Sequence, residues 1–382
     1  MKKLVYLDNA ATTKLDERVL KSMIPYLKEE YGNASSLYKL GKKSRMVIEN
    51  SRKKIAYFLK CNSDEIIFTS GATESNNLAI KGLALANPEK KHIITSQIEH
   101  SSVLLVCKEM ERLGYKVDYL PVDKEGILDL QELKKKITQS TLLVSVMHVN
   151  NEIGTIQPIE EIGKICAQNK VHFHVDATQS FGKIKIDLKN ISLISASAHK
   201  LNGPKGTGIL YIKESTKIRP ILNGGSQEKK LRAGTENVAG IVGFGKAVEL
   251  AKEKMKTNEK IKKLRDFMIK EILKIKGSHL NGGWEKRIFN NANFRFDGIE
   301  GEALLIMLDE KNIAVSTGSA CSSSSLKPSY VLIATGLKPE ETHSSLRISL
   351  GYENTKKEIE FAIKEIKLSV DKIRKISGEF KC

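Results

Sequence analysis

The sequence lacks long hydrophobic runs. No apolar stretch among its 382 residues approaches the roughly 18 needed to span a bilayer. Its opening, MKKLVYLDNAATT, has no apolar core of signal-peptide type. Cysteine is scarce: Cys61, Cys107, Cys166, Cys321 and Cys382 are odd in number, widely spaced and without a CxxC pair. That pattern argues against a disulfide framework or a zinc ribbon, and for a reducing cytoplasm. Low-complexity tracts are missing too, and an apolar fraction of 40% is ample for a packed core. At this length two domains are the default. Acidic residues are outnumbered 45 to 63, which leaves a net charge of +18. The basic residues interleave with Glu along amphipathic stretches such as 251–265, and no basic segment is studded with aromatics as single-strand binding requires. The charge therefore reads first as a Lys-rich solvated surface and second as attraction for an acidic protein partner. Neither nucleic acid nor a membrane is an expected partner.

What is present centres on residues 172–200. Two apolar runs, 171–175 and 193–198, read as buried strands. The first ends at Asp176, the second at His199 and Lys200. Ligands of parallel α/β sheets bind off the carboxyl ends of strands, so Asp176 and Lys200 are expected to project into one crevice. An acid and a lysine so placed suit pyridoxal phosphate, which bonds to a lysine and needs a carboxylate at its ring nitrogen. On these residues alone, a structural Asp–Lys ion pair at the sheet rim is the alternative. His172, His174 and Asp176 alternate on one strand face as metal ligands do, but no further Cys or His cluster lies nearby. The two histidines are read as a packed or cofactor-supporting pair, and no metal site is expected.

Along the chain, strands are expected at 66–69, 92–96, 116–121 and 142–148. They alternate with helices at 16–29, from the 70–77 turn to 86, and at 101–113, 128–137 and 159–168. That alternation predicts an α/β protein with a parallel sheet. Between 198 and 209 only the link KLNGPKGTG remains, too short for a helical crossover, so a strand at 209–212 should run antiparallel. The Gly71 turn delivers Ala72 and Thr73 to a helix start, which is either an anion site or an ordinary N-cap. Residues 6–13 read as a tight surface turn. A helical region at 238–275 contains the expected domain boundary, near Lys256. Beyond it the pattern becomes α+β, with strands at 288–296, 313–316 and 345–350 and helices at 301–308, 330–334 and 357–376.

The motifs YLDNAATT, TSGATESNN, EHSS, HVNNEIGT, HVDATQS, SAHKLNGPKGTG, RAGTEN, GSACSS and SSLRISLG follow one another over nearly the whole chain. In kind and order they resemble those of the NifS/IscS cysteine desulfurases, in the class V aminotransferase superfamily. The resemblance implies a fold-type-I α/β architecture: a mostly parallel seven-stranded sheet between helices and a smaller α+β domain. The large domain is then 14–256, and the small one combines 1–13 with 257–382. The implied cofactor is pyridoxal 5′-phosphate. Lys200 would carry it, Asp176 would pair with the ring nitrogen, and Gln179 and Asn151 with the phenolic oxygen. His100 would stack on the ring and act as a catalytic residue that moves protons to or from the substrate thiol. Ala72, Thr73, Ser197 and His199 would hold the phosphate, and Thr235 would reach the phosphate of the neighbouring subunit in a homodimer. Ser197, His199 and Lys200 can all face one site only if the strand breaks there, because period-2 alternation separates them. Ala34 and Tyr38 stand where the family usually has Pro and His, which bears on the conformation of that loop.

The implied activity is conversion of L-cysteine to L-alanine. Arg347, with Asn151, would bind the substrate; a guanidinium suits the α-carboxylate. Lys200 would take the Cα proton. Cys321 would attack the substrate sulfur and hold it as a persulfide for an iron–sulfur scaffold protein or another acceptor, and would be able to ligate an iron–sulfur cluster transiently. Four serines after Cys321 argue against burial of its thiol, while the other cysteines read as structural. A selenocysteine lyase or another class V aminotransferase is the alternative on the same fold. It would keep Lys200 and Asp176 without the same need for Cys321.

Overall fold

The computed structural model describes residues 3–317 and 327–377. Cys321, with the whole GSACSS motif, and Cys382 lie outside the described residues. Short runs rich in Ile, Val and Leu form the strands β1 (Val5–Tyr6), β2 (Ile66–Thr69), β3 (His92–Ser96), β4 (Lys116–Leu120), β5 (Thr141–Met147), β6 (His172–Asp176), β7 (Leu193–Ser197) and β8 (Gly208–Ile212). β2 to β8 make one seven-stranded sheet in the order β2-β8-β7-β6-β5-β3-β4. Pairing along β4-β3-β5-β6-β7 is parallel, and β8 runs antiparallel to both neighbours, β7 and β2. The short glycine-rich link leaves that strand no other direction. The strand order reverses between β3 and β5, and a crevice opens at the carboxyl ends there.

Most helices fall within a residue or two of their expected ends. The helix over Ile159–Gln168 coincides with its expected range, and Glu17–Lys28 starts one residue in because Asp16 caps it. The helix Lys39–Leu59 has no counterpart in the sequence reading. Its buried face is Gly41, Ser44, Ile48, Ser51, Arg52, Ile55, Ala56 and Leu59, five of the eight small or polar, so no apolar stripe marks it. Small residues let it pack closely on the helix Val238–Met255: a Cβ on Gly245 would meet Ser51 Cβ at 2.9 Å. Arg52 tolerates burial because Glu228 accepts both of its terminal nitrogens at 2.8 Å and the Ile66 carbonyl accepts at 2.7 Å.

The expected helical region 238–275 is two helices, Val238–Met255 and Asn258–Ile272, parted at Lys256 and Thr257. Beyond it lie β9 (Ser278–Leu280), β10 (Asn291–Phe296), β11 (Ile313–Ala314) and β12 (Ser345–Ser349). β12, β10 and β9 form an antiparallel sheet, while β11 pairs in parallel with β1. The expected surface turn at 6–13 is therefore corrected. Val5, Leu7 and Ala10 are buried, and the first two share a core with Ile261, Phe294, Leu304, Leu346 and Ile359. Pairing with β11, distant in sequence, draws this segment inward. Among the described residues, no helix is long and apolar enough to cross a membrane.

Candidate active site

The carboxyl ends of β3, β5, β6 and β7 open on a cavity of about 560 Å³. Volumes of roughly 300–1,000 Å³ are usual for small-molecule sites. Lys200, Asp176, His100, Arg347, Asn151 and Gln179 all line it. Ala72, Thr73, Ser197 and His199 line it as well.

β7 stops at Ser197 and turns into a 3-10 helix over Ala198–Lys200, the break that a shared site requires. Lys200 Nζ donates to the carbonyl oxygens of Ala10 and Ala11, each at 2.6 Å, so the turn after β1 holds the amine. Asp176 ends β6 and is 3% exposed. Its Oδ2 accepts from Asn76 Nδ2 at 2.8 Å, and its Oδ1 from the Thr178 backbone N–H at 2.9 Å and the Thr178 hydroxyl. These donors fix the orientation of the carboxylate. The sequence reading names neither residue, although Asn76 lies inside the quoted TSGATESNN.

His174, one strand position pair before Asp176, is wholly buried between Ser145 Oγ at 2.8 Å and Ser195 Oγ at 2.9 Å, with both ring nitrogens engaged. Burial pushes it down to about 4. Its cross-strand partners make it a packing group, and His172 is half-buried at the start of the same strand.

His100 caps the helix Ser101–Arg112: its Nδ1 accepts from the Ser102 backbone N–H at 3.1 Å and lies 2.8 Å from Ser102 Oγ. Burial lowers its pKa; the Asp176 charge opposes that shift and the Lys200 charge adds to it. Gln179 Nε2 donates to the Ala10 carbonyl at 2.8 Å. Asn151 Oδ1 is buried and has no hydrogen-bond partner among the described residues. Such an orphaned acceptor in a cavity wall fits a ligand that brings a donor. Arg347 on β12 is 3% exposed, unlike an ordinary strand arginine. Its Nη2 donates to Asp8 Oδ1 at 2.8 Å and its Nη1 to the Asn151 carbonyl at 3.2 Å.

Ala72 and Thr73 open a helical run over 72–86, where leading N–H groups have no intrahelical acceptor. β8 passes so close to the preceding turn that a Cβ on Gly208 would lie 2.6 Å from Gly71 Cα. His199 Nδ1 is 3.1 Å from Thr12 Oγ1, and burial, reinforced by Lys200, pushes the ring down to about 4. Thr235 is not in this cavity. It lines an adjoining recess of about 80 Å³ that shares Ser70 and Gly206 with it. Burial pushes the thiols of Cys61, Cys107 and Cys166 up to about 12, which leaves them protonated and unreactive.

Comparison with known proteins agrees with this geometry. The family model for aminotransferase class-V matches residues 5–361. The cysteine desulfurase IscS of Methanosarcina thermophila is 52% identical over 98% of this chain and 94% of its own length. A solved NifS-like protein superposes with a TM-score of 0.91 at 40% identity, covering 96% of this chain and 99% of its own. The structure of SspA in complex with cysteine gives a TM-score of 0.81 at 38% identity, with 91% and 98% covered. With its strand-end lysine and aspartate in one cavity and full-length identity to these relatives, the chain belongs to the aminotransferase class-V family, in the group of the IscS cysteine desulfurases.

Proposed function

We propose that the protein is a pyridoxal-phosphate-dependent cysteine desulfurase that converts L-cysteine to L-alanine and passes the sulfur to an acceptor through a persulfide on Cys321. The observation that carries this reading is the meeting of Lys200, Asp176, His100 and Arg347 in one cavity. The residues present fit the cofactor. Asp176, oriented by three donors, would face the ring nitrogen. Asn151 and Gln179 would turn their amide N–H groups to the phenolic oxygen, which accepts. Ala72, Thr73, Ser197 and His199 would hold the phosphate, and Thr235 would serve the partner's site in a homodimer. When bound, pyridoxal phosphate supplies an electron sink for the substrate's Cα.

The chain's own residues do the rest. Arg347 receives the α-carboxylate, held ready by Asp8 and the Asn151 carbonyl. Lys200 Nζ takes the Cα proton. His100 offers its imidazole to the substrate side chain. The Cys321 thiolate attacks the substrate sulfur: an S–S bond forms, the C–S bond breaks, and the electron pair stays with carbon, which is then protonated to give alanine. The persulfide sulfur goes to an iron–sulfur scaffold protein or another acceptor. Relatives named cysteine desulfurase and a structural neighbour solved with cysteine support the choice of substrate.

The test is incubation of the purified, cofactor-loaded protein with L-cysteine and a thiol reductant, with alanine and sulfide assayed together. Equal amounts of both are expected. Absence of alanine overturns the reading.

A further inference from the structure

In the cavity wall, Asp176, Ser102 and His100 are joined through the buried Asn76 in one hydrogen-bond chain. Asp176 Oδ2 accepts from Asn76 Nδ2 at 2.8 Å, and the same amide nitrogen donates to Ser102 Oγ at 2.8 Å. Ser102 Oγ lies 2.8 Å from His100 Nδ1, which also accepts the Ser102 backbone N–H at 3.1 Å. Chemistry sets the direction of the chain. An ionised carboxylate only accepts, so the amino end of Asn76 faces Asp176 and Ser102. With its oxygen accepting from Asn76, the Ser102 hydroxyl has its own proton to give, and that proton points to His100 Nδ1. A backbone N–H can only donate. Nδ1 is thus an acceptor from two sides, and the ring proton belongs on Nε2, the nitrogen that Ser102 does not engage.

Asn76 is fully buried and its Oδ1 has no partner among the described residues. An amide chosen for packing or stability alone would not leave a buried carbonyl unmet. Its two donations are what the position retains.

We propose that Asn76 and Ser102 are positioning residues for the reaction proposed above: they lock His100 as its Nε2–H tautomer and tie the ring to the Asp176 carboxylate. His100 then presents a proton donor to the cavity, and the resting ring does not serve as the base that removes the substrate's thiol proton. This inference rests on the desulfurase reading for its consequence, but its core is a tautomer that can be observed without turnover.

The first measurement is a two-bond ¹H–¹⁵N correlation spectrum of the holoenzyme labelled at histidine, with His100 assigned by the signals lost in His100→Gln. Protonated Nε2 and bare Nδ1 are expected. A proton on Nδ1 near neutral pH overturns the proposal, and that result is read on the wild-type protein. The second is Ser102→Ala. It removes the hydroxyl donor and the link to Asn76 but leaves the backbone N–H, so it should loosen the lock, with a minor Nδ1–H fraction appearing, and lower kcat about ten-fold with KM changed by less than about two-fold, and Ser102→Thr should restore both. An unchanged tautomer and kcat in Ser102→Ala also overturns it. A wild-type protein that shows the Nε2–H ring yet makes no alanine would fail the desulfurase reading alone.

Discussion

Arg347 and Asp8, 339 residues apart in sequence, meet at 2.8 Å between Nη2 and Oδ1. The arginine is buried on β12 and the aspartate follows β1, so the pair joins the N-terminal segment to the second sheet at the cavity wall. The other terminal nitrogen is fixed on the Asn151 carbonyl at 3.2 Å. A guanidinium held in this way is oriented before any carboxylate arrives.

Arg347→Lys is therefore expected to raise KM for cysteine by roughly ten-fold or more while changing kcat less, because an ammonium cannot keep Asp8 and also grip a carboxylate with two parallel bonds. Asp8→Asn should give a smaller rise. Steady-state kinetics check both, and an unchanged KM in Arg347→Lys would remove that residue from substrate binding.

Lys200→Ala is expected to abolish alanine formation and the visible absorbance of lysine-linked pyridoxal phosphate. No other lysine stands at the β7 strand end, and its amine is held by the Ala10 and Ala11 carbonyls. Absorbance spectra and an alanine assay on purified variant decide this. Persistence of both signals would sink the assignment.

Cys321→Ser is expected to bind cysteine but to make almost no alanine and no persulfide. A serine hydroxyl is largely unionised and attacks sulfur poorly. The three described cysteines, Cys107 and Cys166 buried and Cys61 half-buried, have thiols pushed up to about 12 and offer no substitute. Protein mass after a single turnover without reductant should show added sulfur in the wild type only. Undiminished alanine from the variant would favour a lyase or aminotransferase.

Glu99 gives a pH dependence. Its side chain is wholly buried; Oε1 accepts from Ser96 Oγ at 2.5 Å and the Met147 N–H at 3.0 Å, and Oε2 has no partner among the described residues. Burial pushes its carboxyl from 4.5 up to about 8. A carboxyl raised on folding stays protonated in the native state while the unfolded chain ionises, so stability falls as pH rises from about 4.5 to about 8. Glu99→Gln lacks that loss. Its stability relative to wild type should improve by up to roughly 1.4 kcal/mol per pH unit across that window. Denaturant midpoints at mildly acidic, neutral and mildly alkaline pH measure the gap, and parallel curves would mean that Glu99 ionises freely in the fold.

Most of the large sheet was legible before any coordinates. The strand at 66–69 and the helices at 159–168 and 330–334 lie where the residue pattern places them, and the antiparallel β8 follows from a short link. These are local properties: hydrophobic period, glycine turns and connection length act within a few residues. The helix Lys39–Leu59 escaped notice because its buried face uses Gly, Ser and Arg, which acquire meaning only against the helix Val238–Met255 and Glu228.

The residue types of the site, an aspartate and a lysine at the ends of apolar runs, were determined by the sequence itself, because strand ends are written locally. What supports them was decided only by the tertiary structure. Asp8 on Arg347, Asn76 on Asp176 and the Ala10 carbonyl on Lys200 join segments from 100 to 339 residues apart. No local period encodes such pairs. They exist because the chain buries polar groups at the sheet's carboxyl edge, and each buried donor must find an acceptor wherever the fold brings one within reach.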